Sequence, residues 1–304
     1  MKDGIGIDTI ATYIADTAAE IERELAGALP ASWDIPASLR AAADYSLMAG
    51  GKRLRPILVI AAAEALGGSK MAAMPVACAI EMVHTYSLIH DDLPAMDNDD
   101  FRRGKPTNHK VYGEAMAILA GDGLLTHAFF AIARAFRESG LPAERGLAIV
   151  EELAVRAGFA GMVGGQAADM LGEQGITRPE ELEFIHLHKT ADLIVFSLRA
   201  GGHIAGANEA QLAALETFGR CIGLAFQIQD DILDLVGDEI KLGKPVKSDE
   251  RQKKVTYPYL IGLETSREKV RKLTQEATDA IAAAGFREPR RLLELAGYLV
   301  NRDR

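Results

Sequence analysis

Apolar side chains recur at three- and four-residue spacing along most of this chain, the period of an amphipathic helix. Ile10, Ile14, Ala18, Ile21 and Leu25 form one stripe; Leu212, Leu215, Phe218 and Ile222 form another. The segments 115–136, 144–171 and 180–200 are rich in Ala, Leu and Ile, lack proline, and read as long helices. No run alternates apolar and polar residues as a half-buried strand would. Breaks are expected at Pro30 to Pro36, Gly67-Gly68, Gly140 to Pro142, Gly172 to Pro179 and Gly201 to Asn208. Two polar, basic connections stand out, 102–108 and 237–257. The pattern predicts about ten or more helices in one all-α domain over residues 1–304, an antiparallel helical array around a central cavity.

At 48% hydrophobic and 25% charged residues, the composition is that of a globular protein rather than a disordered one. Lys and Arg number 34 against 43 Asp and Glu, a net charge of -9, which argues against nucleic acid as a partner. An anionic substrate then requires local clusters of positive charge. Cys78 and Cys221 lie in apolar helical patterns without metal-site or redox spacing, as buried reduced thiols would. The first residues lack the layout of a signal peptide. No stretch approaches the roughly 20 uninterrupted apolar residues of a membrane span. A cytoplasmic location is the expectation.

Two aspartate clusters follow apolar helical stretches. The first is Asp91-Asp92-Leu93-Pro94-Ala95-Met96-Asp97, trailed by Asp99 and Asp100; the second is Asp230-Asp231-Ile232-Leu233-Asp234. Asp230 and Asp234, at i and i+4, share a helix face. Asp91 and Asp97 would diverge by about 240° on an ideal helix, but Pro94 deflects the turn and can bring Asp97 back. Carboxylate oxygens suit Mg²⁺, which takes one or two carboxylates together with substrate phosphates. A solvated acidic helix end is the plainer reading of either cluster alone. Two of them at helix C-termini oppose the dipole twice, which favours function.

Cations accompany both clusters. Gly50-Gly51-Lys52-Arg53-Leu54-Arg55-Pro56 is no P-loop, because no GxxxxGK[ST] pattern contains it. Arg102-Arg103-Gly104-Lys105 follows the first cluster, and Lys244, Lys247, Lys253 and Lys254 follow the second. Arginine offers bidentate geometry to phosphate and lysine a mobile point charge. The run 161–166, rich in glycine, follows no strand and reads as close helix packing. His84 lies two turns before Asp91 on its face.

In this order, the motifs GGKRLRP (50–56), 81–115, ILAGDGLL (118–125), GGQAAD (164–169), HKTADL (188–193), FQIQDDILD (226–234) and 243–258 resemble the trans-prenyl diphosphate synthases over nearly the whole chain. The likeness is strongest to the bacterial, farnesyl diphosphate-forming branch, whose first motif has the same six-residue spacing. The resemblance implies Asp91, Asp97 and Asp230 as magnesium ligands, three ions in all, with Asp92, Asp231 and Asp234 in support. It gives Lys52, Arg55, His84 and Arg103 to isopentenyl diphosphate. Arg102, Lys189, Lys244 and either Lys253 or Lys254, the latter favoured, would grip the allylic diphosphate. Thr190 and Gln227 match residues facing the allylic cation, and the family works as homodimers.

The implied reaction is ionisation of the allylic diphosphate, attack by the isopentenyl double bond, and proton loss. Product length would be set below the metals, where Tyr86 and Ser87 lie about 6–7.5 Å back along the helix from Asp91. An aromatic there goes with a fifteen-carbon product, although Tyr86 could also be an ordinary core residue. The alternatives are a geranylgeranyl diphosphate synthase or a non-catalytic regulatory subunit. Terpene cyclases are disfavoured by the second-substrate set Lys52, Arg55 and His84.

Overall fold

A computed structural model of the chain describes residues 9–172, 175, 178–236 and 255–300, and among these the apolar stripes form helices. The first stripe becomes α1 (Ile10–Leu25), which buries Ile14, Ile21 and Leu25 and is capped by the Thr9 hydroxyl accepting the Thr12 amide. α2 (Ala37–Leu47), α3 (Leu54–Ala65) and α4 (Lys70–Asp91) follow, with the breaks before α2 and α4 where expected and a further one, not expected, between α2 and α3. After α4 come a short hairpin, α5 (Asn108–Tyr112), α6 (Glu114–Ser139) and α7 (Ala143–Ala157). α8 (Met162–Gly172) and α9 (Pro179–Ile185) lead into a π-helical turn (His186–Ala191) and α10 (Asp192–Ala205). α11 (Glu209–Val236), α12 (Tyr257–Ile261), α13 (Leu263–Ala283) and α14 (Arg290–Val300) complete the order.

Among the described residues the structure is all helical and loop except at that hairpin, where β1 (Phe101–Arg102) pairs antiparallel with β2 (Lys105–Pro106). Strands this short carry no alternation to detect. Their signal is the turn, since Arg103 and Gly104 both adopt positive φ (53° and 74°), as a two-residue hairpin loop requires. The expected helix 144–171 is instead two, divided at 158–161. The break expected over Gly201 to Asn208 falls at the end of that range, at 206–208. Gly201 and Gly202 are buried inside α10, which packs on α11, and the helix ends at left-handed Gly206.

The residues form two compact units. The first comprises the described parts of Met1–Ile60 and Ser69–Val150; the second comprises those of Ala61–Gly68 and Glu151–Arg304. In the first, α4 packs on α6, with α1 and α2 also against α4. In the second, α11 packs against α10, α13 and α14. By length and composition α4 and α6 could each cross a bilayer, but 67% of α4's apolar stretch is buried in protein. Only 39% of α6's is, and Ile118, Leu119 and Phe130 are exposed on it. Cys78 and Cys221 are free and buried, and burial pushes the Cys78 thiol up to about 12.

Candidate active site

In the first unit α4 ends at Asp91, with Asp92 as its C-cap. Proline at 94 cannot continue the helix, and the chain folds back through bonds from the Met96 and Asn98 amides to the Leu93 carbonyl (2.9 and 3.1 Å). The Asp97 amide then donates to the Asp91 carbonyl at 2.9 Å. The turn anticipated from Pro94 is therefore present, and Asp91 (half-buried) and Asp97 (exposed) belong to it.

Asp92 is buried. Its Oδ1 accepts from Arg102 Nε at 2.7 Å, and Arg102 Nη2 lies 2.6 Å from the same oxygen and 3.5 Å from Asp99. Burial pushes the Asp92 carboxyl up against the pull of Arg102. For Arg102 burial works against the charge, but the bond to Asp92 and the charges of Asp92, Asp99 and Asp91 outweigh it and hold its pKa above the ordinary value. Asp99 contributes to both shifts, its charge supporting the Arg102 cation and opposing ionisation of Asp92.

Arg55 Nη1 stands 3.4 Å from His84 Nε2, and Arg103 donates to the Gly50 carbonyl at the head of the loop that carries Lys52. Lys52, Arg55, His84 and Arg103, scattered over 52 positions of sequence, thus gather at one end of this unit. Loss of water, then the charges of Arg55 and Arg103, push His84 well below its usual range, so its ring is neutral. Arg55 is likewise lowered, first by burial, and its buried Nε–H has no hydrogen-bond partner. A guanidinium N–H buried without an acceptor is costly, and an anion arriving there would satisfy it. Five residues before Asp91, Tyr86 is 6% exposed and meets His90 edge-on at 5.7 Å. Ser87 Oγ donates to the His84 carbonyl at 2.9 Å.

In the second unit the π turn holds Lys189 and Thr190, in the middle of a segment whose sequence reads as unbroken helix. π turns inserted in helices are frequent at functional sites. Lys189 Nζ lies 2.6 Å from Asp169 Oδ2 on α8. One turn before Asp169, a Cβ on Gly165 would stand 2.2 Å from the Lys189 amide nitrogen, so the glycine-rich run is indeed close packing. Asp169 was not singled out from sequence; its spacing of four from Gly165, the contact glycine, is the signal that could have found it. Asp230 and Asp234 sit one turn apart near the end of α11, half-buried and buried respectively, and Gln227 lies a turn earlier. Asp231 accepts the Tyr257 amide at 2.9 Å, with His186 Nε2 at 3.5 Å. The fully buried Tyr257 donates its hydroxyl to Glu183 at 2.9 Å. Lys244 and Lys254, with Lys253, lie outside the described residues.

These arrangements can be set beside known proteins. A farnesyl diphosphate synthase of Geobacillus stearothermophilus is 57% identical over 235 residues, 77% of this chain and 79% of its own. The farnesyl diphosphate synthase of Bacillus subtilis is 48% identical over 294 residues, 97% of this chain and 98% of its own. Among solved structures, geranylgeranyl pyrophosphate synthetase of Pyrococcus horikoshii superposes with a TM-score of 0.86 at 34% identity, covering 96% of this chain and 98% of that one. The polyprenyl synthetase model matches residues 36–285, a span that includes both aspartate motifs and the cations beside them. On motif order, site geometry and these likenesses together, the chain belongs to the polyprenyl synthetase family.

Proposed function

We propose that this chain is a magnesium-dependent prenyltransferase that condenses dimethylallyl or geranyl diphosphate with isopentenyl diphosphate to give farnesyl diphosphate. The observation that carries the reading is made within the first unit. A turn bearing Asp91 and Asp97 ends the helix that carries His84, which touches Arg55, and the buried Nε–H of Arg55 lacks an acceptor. A diphosphate bound to metal needs both signs of charge.

The donors fit magnesium. Asp91, Asp97 and Asp230 offer hard carboxylate oxygens only. That suits an ion which keeps waters and completes its shell with phosphate oxygens. Three ions, as in the resembling enzymes, are part of the proposal. When bound, they would supply positive charge against the leaving diphosphate.

The remaining roles fall to the chain. Arg102, Lys189, Lys244 and Lys254 hold the allylic diphosphate as its C–O bond breaks and both electrons leave with oxygen. Lys52, Arg55, His84 and Arg103 orient isopentenyl diphosphate, whose double bond supplies the pair for the new C–C bond. The carbonyl or hydroxyl dipoles of Lys189, Thr190 and Gln227 face the allylic cation without being readily alkylated. The proton is lost to the departing diphosphate. Tyr86, with Ser87 beside it, closes the apolar tunnel at fifteen carbons.

Residues 1–304 are proposed to act as one polyprenyl synthase domain, supported by a family match that runs through both units. A homodimer is proposed on the exposed apolar residues of α6, Ile118, Leu119 and Phe130, and a cytoplasmic location on the two free, buried thiols. The likeness to the Pyrococcus horikoshii enzyme favours a second reading, a geranylgeranyl product. Incubation with labelled isopentenyl diphosphate, an allylic primer and magnesium, followed by chromatographic sizing, tests both. A fifteen-carbon product supports the first reading and a twenty-carbon product the second; no incorporation overturns both.

A further inference from the structure

Beneath the cations assigned to isopentenyl diphosphate lies a pair to which that reading gives no role. Arg53 and Glu81 are each 2% exposed, and Arg53 Nη1 meets Glu81 Oε1 at 2.6 Å. Nη2 of Arg53 donates to the Leu47 carbonyl, the last residue of α2, at 2.9 Å, and Nε lies 3.5 Å from Glu22 on α1. One guanidinium therefore bonds the loop 50–53 to α2 and α4, with a carboxylate of α1 at ion-pair distance.

That loop is not relaxed. Gly50 (φ 84°), Gly51 (φ 125°) and Arg53 (φ 50°) are all left-handed before α3 begins at Leu54. Glycine takes such values freely; arginine does so at a cost and holds them only where its surroundings over-determine the backbone. Here the over-determination is the Arg53 fork. The loop also receives the Arg103 guanidinium, which lies where a Gly51 side chain would be: a Cβ there would stand 2.7 Å from Arg103 Cζ. Lys52 and Arg55 leave the chain on either side of the pinned residue. Glu81 lies one turn before His84 on α4, and its charge favours the charged forms of both Arg55 and Arg103.

Stability alone does not call for such a pair, since two buried charges can often be replaced by apolar residues without loss. We propose that Arg53 and Glu81 are positioning residues for the isopentenyl diphosphate clamp, holding the loop so that Lys52, Arg55 and Arg103 converge with His84. Neither residue touches the substrate. The proposal rests on reading those four residues as the clamp, and the test separates the two claims.

The experiment compares the full-length enzyme with Glu81→Gln and Lys52→Ala, measuring KM for each substrate, kcat and the melting temperature. Glu81→Gln is expected to raise the isopentenyl diphosphate KM by about tenfold or more, as loss of hydrogen bonds to a charged group does, with the allylic KM little changed. If Lys52→Ala raises that KM and a folded Glu81→Gln does not, the positioning role is overturned and the clamp stands. If neither raises it, the clamp itself is overturned, and the proposal with it. Equal rises in both KM values, tracking a lower melting temperature, also overturn positioning. Should Glu81→Gln not fold, Arg53→Met/Glu81→Met, which leaves no charge unpaired, decides by the same readout: a raised isopentenyl KM supports the proposal and a native one overturns it.

Discussion

The amide of Asp97 donates to the carbonyl of Asp91 at 2.9 Å, so two carboxylates six residues apart share one turn. The bond is made by backbone atoms and survives substitution of either side chain. Asp97→Asn should therefore fold as the parent does while losing a charged oxygen donor. We expect kcat to fall by about 10²-fold or more, the scale at which single electrostatic groups act on developing charge. Circular dichroism should be unchanged, and excess magnesium should recover part of the rate. Native kcat in Asp97→Asn would remove this turn from the metal site.

Tyr86 sits on the same helix, buried against His90, with its hydroxyl pushed up to about 12 by burial and then by Asp91. It remains neutral and bulky across the working pH range. Tyr86→Ala removes the ring and should shift products beyond fifteen carbons. It should also cost about 3 kcal/mol of stability, as truncating a buried aromatic does. A chromatogram of released prenyl alcohols distinguishes these effects: an unchanged length in a destabilised protein would leave Tyr86 as core only.

Most of the helical order and the first motif were legible in the sequence because each rests on local chemistry. The stripe Ile10 to Leu25 needs only a period, and the Asp91–Asp97 turn needs only Pro94. What escaped depends on partners distant in sequence. The π turn at Lys189 reflects contact with Gly165 and Asp169 on another helix, and 180–200 contains no local breaker to announce it. Within the break expected over 201–208, Gly201 and Gly202 stay helical because packing on α11 overrides the cost of glycine in a helix, and the break comes only at 206–208. The pairing of Arg53 was hidden for the same reason, since Glu81 is 28 positions away.

Gly165 gives the π turn a direct test. A methyl group there would stand 2.2 Å from the Lys189 amide nitrogen, and neither backbone can yield cheaply. Gly165→Ala should displace Lys189 and Thr190, costing about 1–3 kcal/mol as overpacking does. The allylic KM should rise while the isopentenyl KM stays near native. A selective isopentenyl defect instead would contradict the assignment of Lys189 to the allylic diphosphate.

Glu152 links the second unit to acid stability. Burial alone would raise its carboxyl, but hydrogen bonds and charge from His203 and Arg199 hold it at about 2, against an ordinary 4.5. Its side chain is 19% exposed, so solvent screens the network little. As pH falls, the unfolded chain takes up this proton first. The stabilisation is therefore fully present above pH 4.5 and is lost as the pH drops towards 2. The shift corresponds to a contribution on the order of 3 kcal/mol at neutral pH. Glu152→Gln removes it without orphaning Arg199, which keeps Glu216 at 3.3 Å and the Leu212 carbonyl at 3.1 Å. Urea midpoints for parent and variant should differ most at neutral pH and converge below pH 4.5. A gap that stays constant down to the acid limit would mean that Glu152 acts by packing rather than charge.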